Sequence, residues 1–288
     1  MNRPVTERRN PRTLRLDRLS SREIVERVHR EDACVPAAVS KVAAATARAV
    51  DLIVARLQKG GRLFLAGAGT SGRLASLEAA ECPPTFGTPP SLVQAVIAGG
   101  RSALTRSIEG AEDDARAGAR ALSRVRARDA VIGISASGTA PFVIGALNHA
   151  RRRGAATVFL TCAPTPQEAD VVITPIVGPE VIAGSTRLKA GTATKLILNA
   201  ITVAVMTRLG KVHENLMVDV QPTNAKLRAR ARRIVRELTG RAPEAALAAA
   251  RGRVKTAVVM LRRGVDAREA DRLLAAKRGN LRSVLGGD

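Results

Sequence analysis

The chain has no tryptophan and no tyrosine, and its aromatic complement is four phenylalanines in 288 residues. Exposed nucleobases need aromatic faces to stack on. That scarcity argues against a nucleic-acid partner, despite a net charge of +22 from 47 Lys and Arg against 25 Asp and Glu. The basic residues are scattered along the chain and Arg outnumbers Lys, the pattern of a solvated basic surface more than of a binding patch. Cysteine is also sparse. Cys34, Cys82 and Cys162 form neither an even set nor a CxxC pair, so a disulfide framework and a structural zinc site both lack support. Met1 to Arg15 is rich in Arg, Asn, Pro and Thr and does not resemble a secretory h-region. No apolar run approaches membrane-spanning length on this reading. The expectation is a cytoplasmic protein with no membrane partner.

What is present is enough apolar sequence, 45% of the chain, to build a core. Up to about Val35 the chain is polar, with "DRLSSREIVERVHRED" reading as a short helix capped by Ser20 or Ser21. Pro36 to Leu57 reads as one long amphipathic helix stopped by Gly60 and Gly61. Apolar runs at 62–66, 92–98, 129–135 and 156–161, with a shorter one at 171–175, then alternate with helical segments. Such runs suit strands buried on both faces, and the alternation predicts an α/β fold with a doubly wound, mostly parallel sheet. A long apolar helix from about Ala190 to Arg208 follows, then a basic helix at 224–238 ended by Gly240. Short helical pieces at 243–252, 254–263 and 266–276 form a small C-terminal helical subdomain. The expected organisation is an arm and helix at 1–52, a ligand-binding α/β domain at 53–216, and a connecting helix with the helical subdomain at 217–288.

Ligands in open α/β sheets bind outside the C-terminal strand ends. The first strand ends in "GAGTSGR", which contains GxGxxG through Gly67, Gly69 and Gly72. A dinucleotide site would place an acidic residue at the end of the second strand, but here that strand ends in Ala98, Gly99 and Gly100. With Thr70 and Ser71 in the turn, a single phosphate is the better fit, so Thr70, Ser71 and Gly72 are candidate phosphate ligands. No nucleotide cofactor is expected. A second hydroxyl-rich loop, "SASGTAP", puts Ser135, Ser137 and Thr139 ahead of a helix opened by Pro141. Either loop alone is explained as an ordinary helix cap; the repetition at two strand ends favours a ligand. A third segment, "GSTRLKAGTATK", offers Ser185, Arg187, Lys189 and Lys195, of which Ser185, Arg187 and Lys189 are the candidate substrate contacts, against the alternative that an exposed Arg or Lys is simply solvated.

These segments resemble the N-acetylmuramic acid 6-phosphate etherases, members of the sugar isomerase (SIS) fold group. The resemblance is carried by "GAGTSGRLASLEAAECPPTFG", "IAGG", "EGAEDD", "GISASGTAPFVIGAL", "ITPIVGPEVIAGSTRLKAGTATKLILN" and "GKVHENLMVDVQPTNAKL", and extends from about Asp17 to Arg236. It implies an SIS-type sheet, a sugar-phosphate substrate, a homodimer, and cleavage of the D-lactyl ether at C3 without a metal. The family's two catalytic glutamates fall on Glu81 in "AECPPT" and Glu112 in "EGAEDD". Members usually read "ASGRTP" where this chain has Thr139 and Ala140, and Met where Leu188 stands. The first departure removes a potential cation near the phosphate loop, which bears on phosphate affinity and not on reaction type.

Two carboxyls suit such a reaction. An open-chain sugar aldehyde acidifies the C2 proton, and its removal lets C3 expel lactate, after which water adds to the conjugated aldehyde. A base, an acid and a water activator are needed, and positioned carboxyl groups supply all three. Glu81 is expected near a helix end stopped by Pro83 and Pro84, where the dipole raises its pKa. Glu112 is expected at the start of a helix from Gly110 to Val125, where the dipole favours the carboxylate. That contrast assigns Glu81 to protonating lactate and activating water, and Glu112 to the C2 proton. A non-catalytic sugar-phosphate sensor, as in glucokinase regulatory protein, and an aldose–ketose isomerase are the competing readings.

Overall fold

The structure, a computed structural model, describes residues 4–286. Its contacts divide the chain into two units, Met1–Ala80 with Ser91–Thr202, and Glu81–Pro90 with Val203–Asp288.

The first unit is built on a sheet whose strands are β1 (Leu63–Gly67), β2 (Val93–Ile97), β3 (Ala130–Ile134), β4 (Ala156–Leu160) and β5 (Val171–Ile173). All are parallel, in the order β2-β1-β3-β4-β5. Every residue of β1, β3 and β4 is buried, as continuous apolar runs require when helices cover both faces. Leu63 pairs with Val93 on one side and Ala130 on the other. The chain therefore leaves β1 in one direction for β2 and returns to its opposite side for β3. That reversal opens a crevice between the C-terminal ends of β1 and β3.

Before the sheet come α1 (Ser21–Asp32), α2 (Val35–Ser40) and α3 (Ala43–Leu57). Ser20 and Glu23 close a reciprocal capping box on α1. The single helix expected at 36–57 is two helices. Val42 leaves the helical region at φ −103°, ψ 11°, just after Ser40 turns its hydroxyl back to the Pro36 carbonyl at 2.9 Å. Such back-bonding competes with the helical ladder.

Helix α4 (Gly69–Phe86) does not stop at Pro83 and Pro84 but runs through them. Proline φ is already helical, so the backbone can continue through both residues although each removes an N–H donor, and the Gly87 N–H donates to the Pro83 carbonyl at 2.9 Å to close the end. The remaining helices around the sheet are α5 (Ala115–Ala121), α6 (Pro141–Arg152) and α7 (Lys189–Arg208). By length and composition α7, with a mean hydropathy of 1.3, could cross a membrane, contrary to the sequence expectation. Its Ala190, Ala193, Ile197, Leu198 and Ile201 are nevertheless buried in the first unit, as in a core helix.

The second unit contains α8 (Ala225–Thr239), α9 (Glu244–Ala249), α10 (Val254–Arg263), α11 (Ala267–Ala276) and α12 (Leu281–Leu285). Ile234 and Val235 of α8, Val258 and Val259 of α10, and Ala270 of α11 form its core. Lys255, nearly buried, is tied to Asp219 at 2.8 Å and to the Gly279 carbonyl at 2.8 Å. Helix α12, capped by Asn280, was not expected from sequence.

Candidate active site: a hydroxyl-lined recess at the strand ends

A recess of about 240 Å³ lies in the first unit at the C-terminal ends of β1 and β3. Its walls are Ala68, Gly69, Thr70 and Ser71 after β1, and Ile134, Ser135, Ala136, Ser137 and Ala140 after β3. Glu112, Gly184, Thr186 and Glu7 complete the lining. Five hydroxyls therefore face a small volume. Among the described residues that line it there is no Lys or Arg.

Local geometry explains the turn after β1. Gly69 takes φ +51°, a conformation that L side chains avoid. A Cβ at Gly72 would stand 2.4 Å from Ile97 Cγ1, so this glycine lets α4 press against β2. Gly72 is buried and does not line the recess; of the three expected phosphate ligands in this turn, Thr70 and Ser71 do. The free first-turn N–H groups of α4 lie at the same end of the helix.

After β3, the buried Ser135 accepts at Oγ from the Ala140 N–H at 3.4 Å. Ser137 and Thr139 share a hydroxyl hydrogen bond of 2.9 Å. Pro141 opens α6, so two helix N-termini follow the two loops. Thr139 is exposed and outside the lining. Its contact with the recess is indirect, through Ser137.

Glu112 reaches the recess from a different local structure than expected. It sits in a 3₁₀ turn, Ala111–Asp113, and α5 begins only after Asp114, whose side chain accepts from the Ala117 N–H at 2.8 Å. Burial, and then the neighbouring Asp113, push the Glu112 carboxyl above its ordinary value. This reverses the expected direction, because Glu112 precedes the helix and its desolvation outweighs the dipole. Arg73 contributes to the same loop, donating to the carbonyls of Leu104 at 3.1 Å and Arg106 at 2.9 Å.

Glu81 is exposed on α4, does not line the recess, and has five helical residues after it, so it does not stand at the helix end where the sequence placed it. Among the basic segment's candidates, Ser185 and Arg187 lie outside the lining while their neighbours Gly184 and Thr186 are in it. Lys189 is fully buried and pairs with Glu31 at 2.9 Å. Its ammonium therefore supports the fold and does not face the recess. Lys195 donates to Asn199 at 2.9 Å. Sequence reading missed Glu7, which carries no motif and reaches the site only through the path of the chain, and passed over Thr186, which stands in the quoted GSTRLKAGTATK segment between Ser185 and Arg187. Among the described residues no group of three or more His, Cys, Asp or Glu is placed to hold a metal.

Residues 45–151 match the model of the glucokinase regulatory protein N-terminal SIS domain, and residues 108–204 match that of the SIS domain. The fold is similar to a putative phosphosugar isomerase from Bacteroides fragilis, with a TM-score of 0.53, 22% identity, and coverage of 68% of this chain and 95% of that one. It is also similar to a phosphoheptose isomerase from Neisseria gonorrhoeae, with a TM-score of 0.51, 21% identity, and coverage of 65% and 99%. In sequence the chain is 53% identical to the N-acetylmuramic acid 6-phosphate etherase of Rubrobacter xylanophilus, over 98% of this chain and 96% of that protein. It is 57% identical to the enzyme of the same name from Gloeobacter violaceus, over 89% and 86%. With identity of this level spanning nearly its whole length, the chain belongs to the N-acetylmuramic acid 6-phosphate etherase family.

Proposed function

We propose that the protein cleaves N-acetylmuramic acid 6-phosphate to N-acetylglucosamine 6-phosphate and D-lactate by elimination followed by addition of water. The observation that carries this reading is the recess itself, where two hydroxyl-rich loops at helix N-termini meet a carboxyl of raised pKa. Thr70, Ser71, Ser135 and Ser137 donate to the 6-phosphate, aided by the first-turn N–H groups of α4 and α6. Neutral donors suffice because the helix ends supply partial positive charge.

Glu112 acts as the base. Opening of the sugar exposes the C1 aldehyde, which acidifies C2–H. The Glu112 carboxylate takes that proton, the electron pair forms the C2–C3 double bond, and the C3–O bond breaks to release lactate. A carboxyl raised toward neutrality is better matched to this transfer than an ordinary one. Water then adds at C3 and a proton returns to C2, so lactate and the amino sugar balance substrate plus water. Glu81 is assigned the leaving oxygen's proton and the activation of water on its motif, AECPPT. A homodimer in the cytoplasm completes the proposal, supported by the family resemblance.

The direct test is D-lactate release by the purified protein from N-acetylmuramic acid 6-phosphate, with Glu112→Gln alongside. Release by the wild type and its loss in the variant are expected. Binding of substrate without lactate release would replace this reading with that of a sensor.

A further inference from the structure

Glu7 brings a second carboxylate to a recess that takes a phosphate, and the reaction above gives it no task. It lines the recess with Glu112, and among the described residues its side chain has no hydrogen-bond or ion-pair partner. A free carboxylate near a phosphate site weakens anion binding. The cost is offset only if the ligand itself brings donors to it.

The segment carrying Glu7 is firmly held. The Gly184 N–H donates to the Thr6 carbonyl at 2.9 Å, and Thr13 donates from its hydroxyl to the Val181 carbonyl at 2.8 Å. Asn10 donates to the Pro179 carbonyl at 3.2 Å and to Glu31 at 2.7 Å. Thr6, Asn10 and Thr13 are all buried. These bonds join the arm to the 179–186 loop, which itself supplies Gly184 and Thr186 to the recess. A Cβ at Gly184 would stand 3.0 Å from Glu7 Oε2, so the carboxylate lies directly over this glycine.

We infer that Glu7 is a sugar-binding, specificity-determining residue: its carboxylate accepts hydrogen bonds from hydroxyl or amide N–H groups of the sugar chain whose phosphate the two loops hold. The inference rests on the sugar-phosphate reading of the site. A carboxylate is acceptor-only and rewards a polyol carrying donors, while it repels a bare anion. Glu7 thereby selects sugar phosphates over inorganic phosphate, a discrimination the neutral hydroxyl loops do not make.

The test compares wild type, Glu7→Gln and Arg12→Ala in steady-state lactate release, with inorganic phosphate as competitor. Glu7→Gln keeps the shape and removes the charge. It is expected to raise KM about 10- to 100-fold with kcat little changed, and to lower the inhibition constant of inorganic phosphate about threefold or more. Arg12→Ala loosens the arm without altering the charge at the recess, and is expected to weaken both ligands together. If Glu7→Gln leaves KM unchanged, or weakens sugar phosphate and inorganic phosphate alike, the inference is overturned. Failure of the wild type to release lactate would instead overturn the reading on which it rests.

Discussion

Lys189, fully buried, meets Glu31, 3% exposed, at 2.9 Å, and Glu31 also accepts from Arg12 and from Asn10 at 2.7 Å. Arg12 first, against the cost of burial, and then Lys189 and Asn10 pull the Glu31 carboxyl from 4.5 down to about 2. A drop of that size corresponds to about 3 kcal/mol of stability. Because the folded value is depressed, the contribution is present above the unfolded value and is lost as pH falls from near 4.5 toward 2. Glu31→Gln at neutral pH should cost about 3–5 kcal/mol, because the Lys189 ammonium is left buried without its counter-ion. Lys189→Met should cost less, about 1–3 kcal/mol, since Arg12 and Asn10 still hold Glu31 and an apolar side chain suits the site. At ~2–4 °C per kcal/mol for a unit of this size, Glu31→Gln should lower Tm by about 10 °C. With no Trp or Tyr in the chain, far-UV circular dichroism and calorimetry are the suitable readouts. A Tm for Glu31→Gln within about 2 °C of wild type, or a smaller effect than that of Lys189→Met, would refute the reasoning.

Further outcomes are expected at the recess. Ser135→Ala removes a buried hydroxyl that caps the loop and faces the ligand, and should raise KM about tenfold, read by lactate release at varied substrate. Gly72→Ala forces a Cβ toward Ile97 and should destabilise by about 1–3 kcal/mol, seen in thermal unfolding. Because burial raises the Glu112 pKa from its ordinary value, the acidic limb of the kcat/KM profile should be displaced upward from that of a free glutamate and vanish in Glu112→Gln. Thr139→Arg, placing a cation beside Ser137, should tighten inhibition by inorganic phosphate while leaving the reaction type unchanged.

The sheet was legible because its apolar runs fit no other element: each of the five expected runs overlaps a strand, and the order places the two hydroxyl loops side by side. The loops were readable because they recur: one hydroxyl-rich turn at a strand end is explained as a helix cap, and two at neighbouring strand ends are not. Helix ends were harder. Pro83 and Pro84 signalled a stop, yet their φ suits a helix and α4 continues. The Ser40 back-bond broke a helix whose apolar spacing ran unbroken. Lys189 looked like a ligand because its charge is visible in sequence and its burial beside Glu31 is not. Glu7 was invisible for the opposite reason, since only the anchored arm brings residue 7 to loops some 60 to 180 positions further on.

The central claim is tested most directly by coupled-enzyme detection of D-lactate from N-acetylmuramic acid 6-phosphate, run on wild type, Glu81→Gln and Glu112→Gln at equal concentration. The account predicts stoichiometric lactate from the wild type and a loss of at least about 100-fold in each variant. Undiminished release by Glu112→Gln would contradict it.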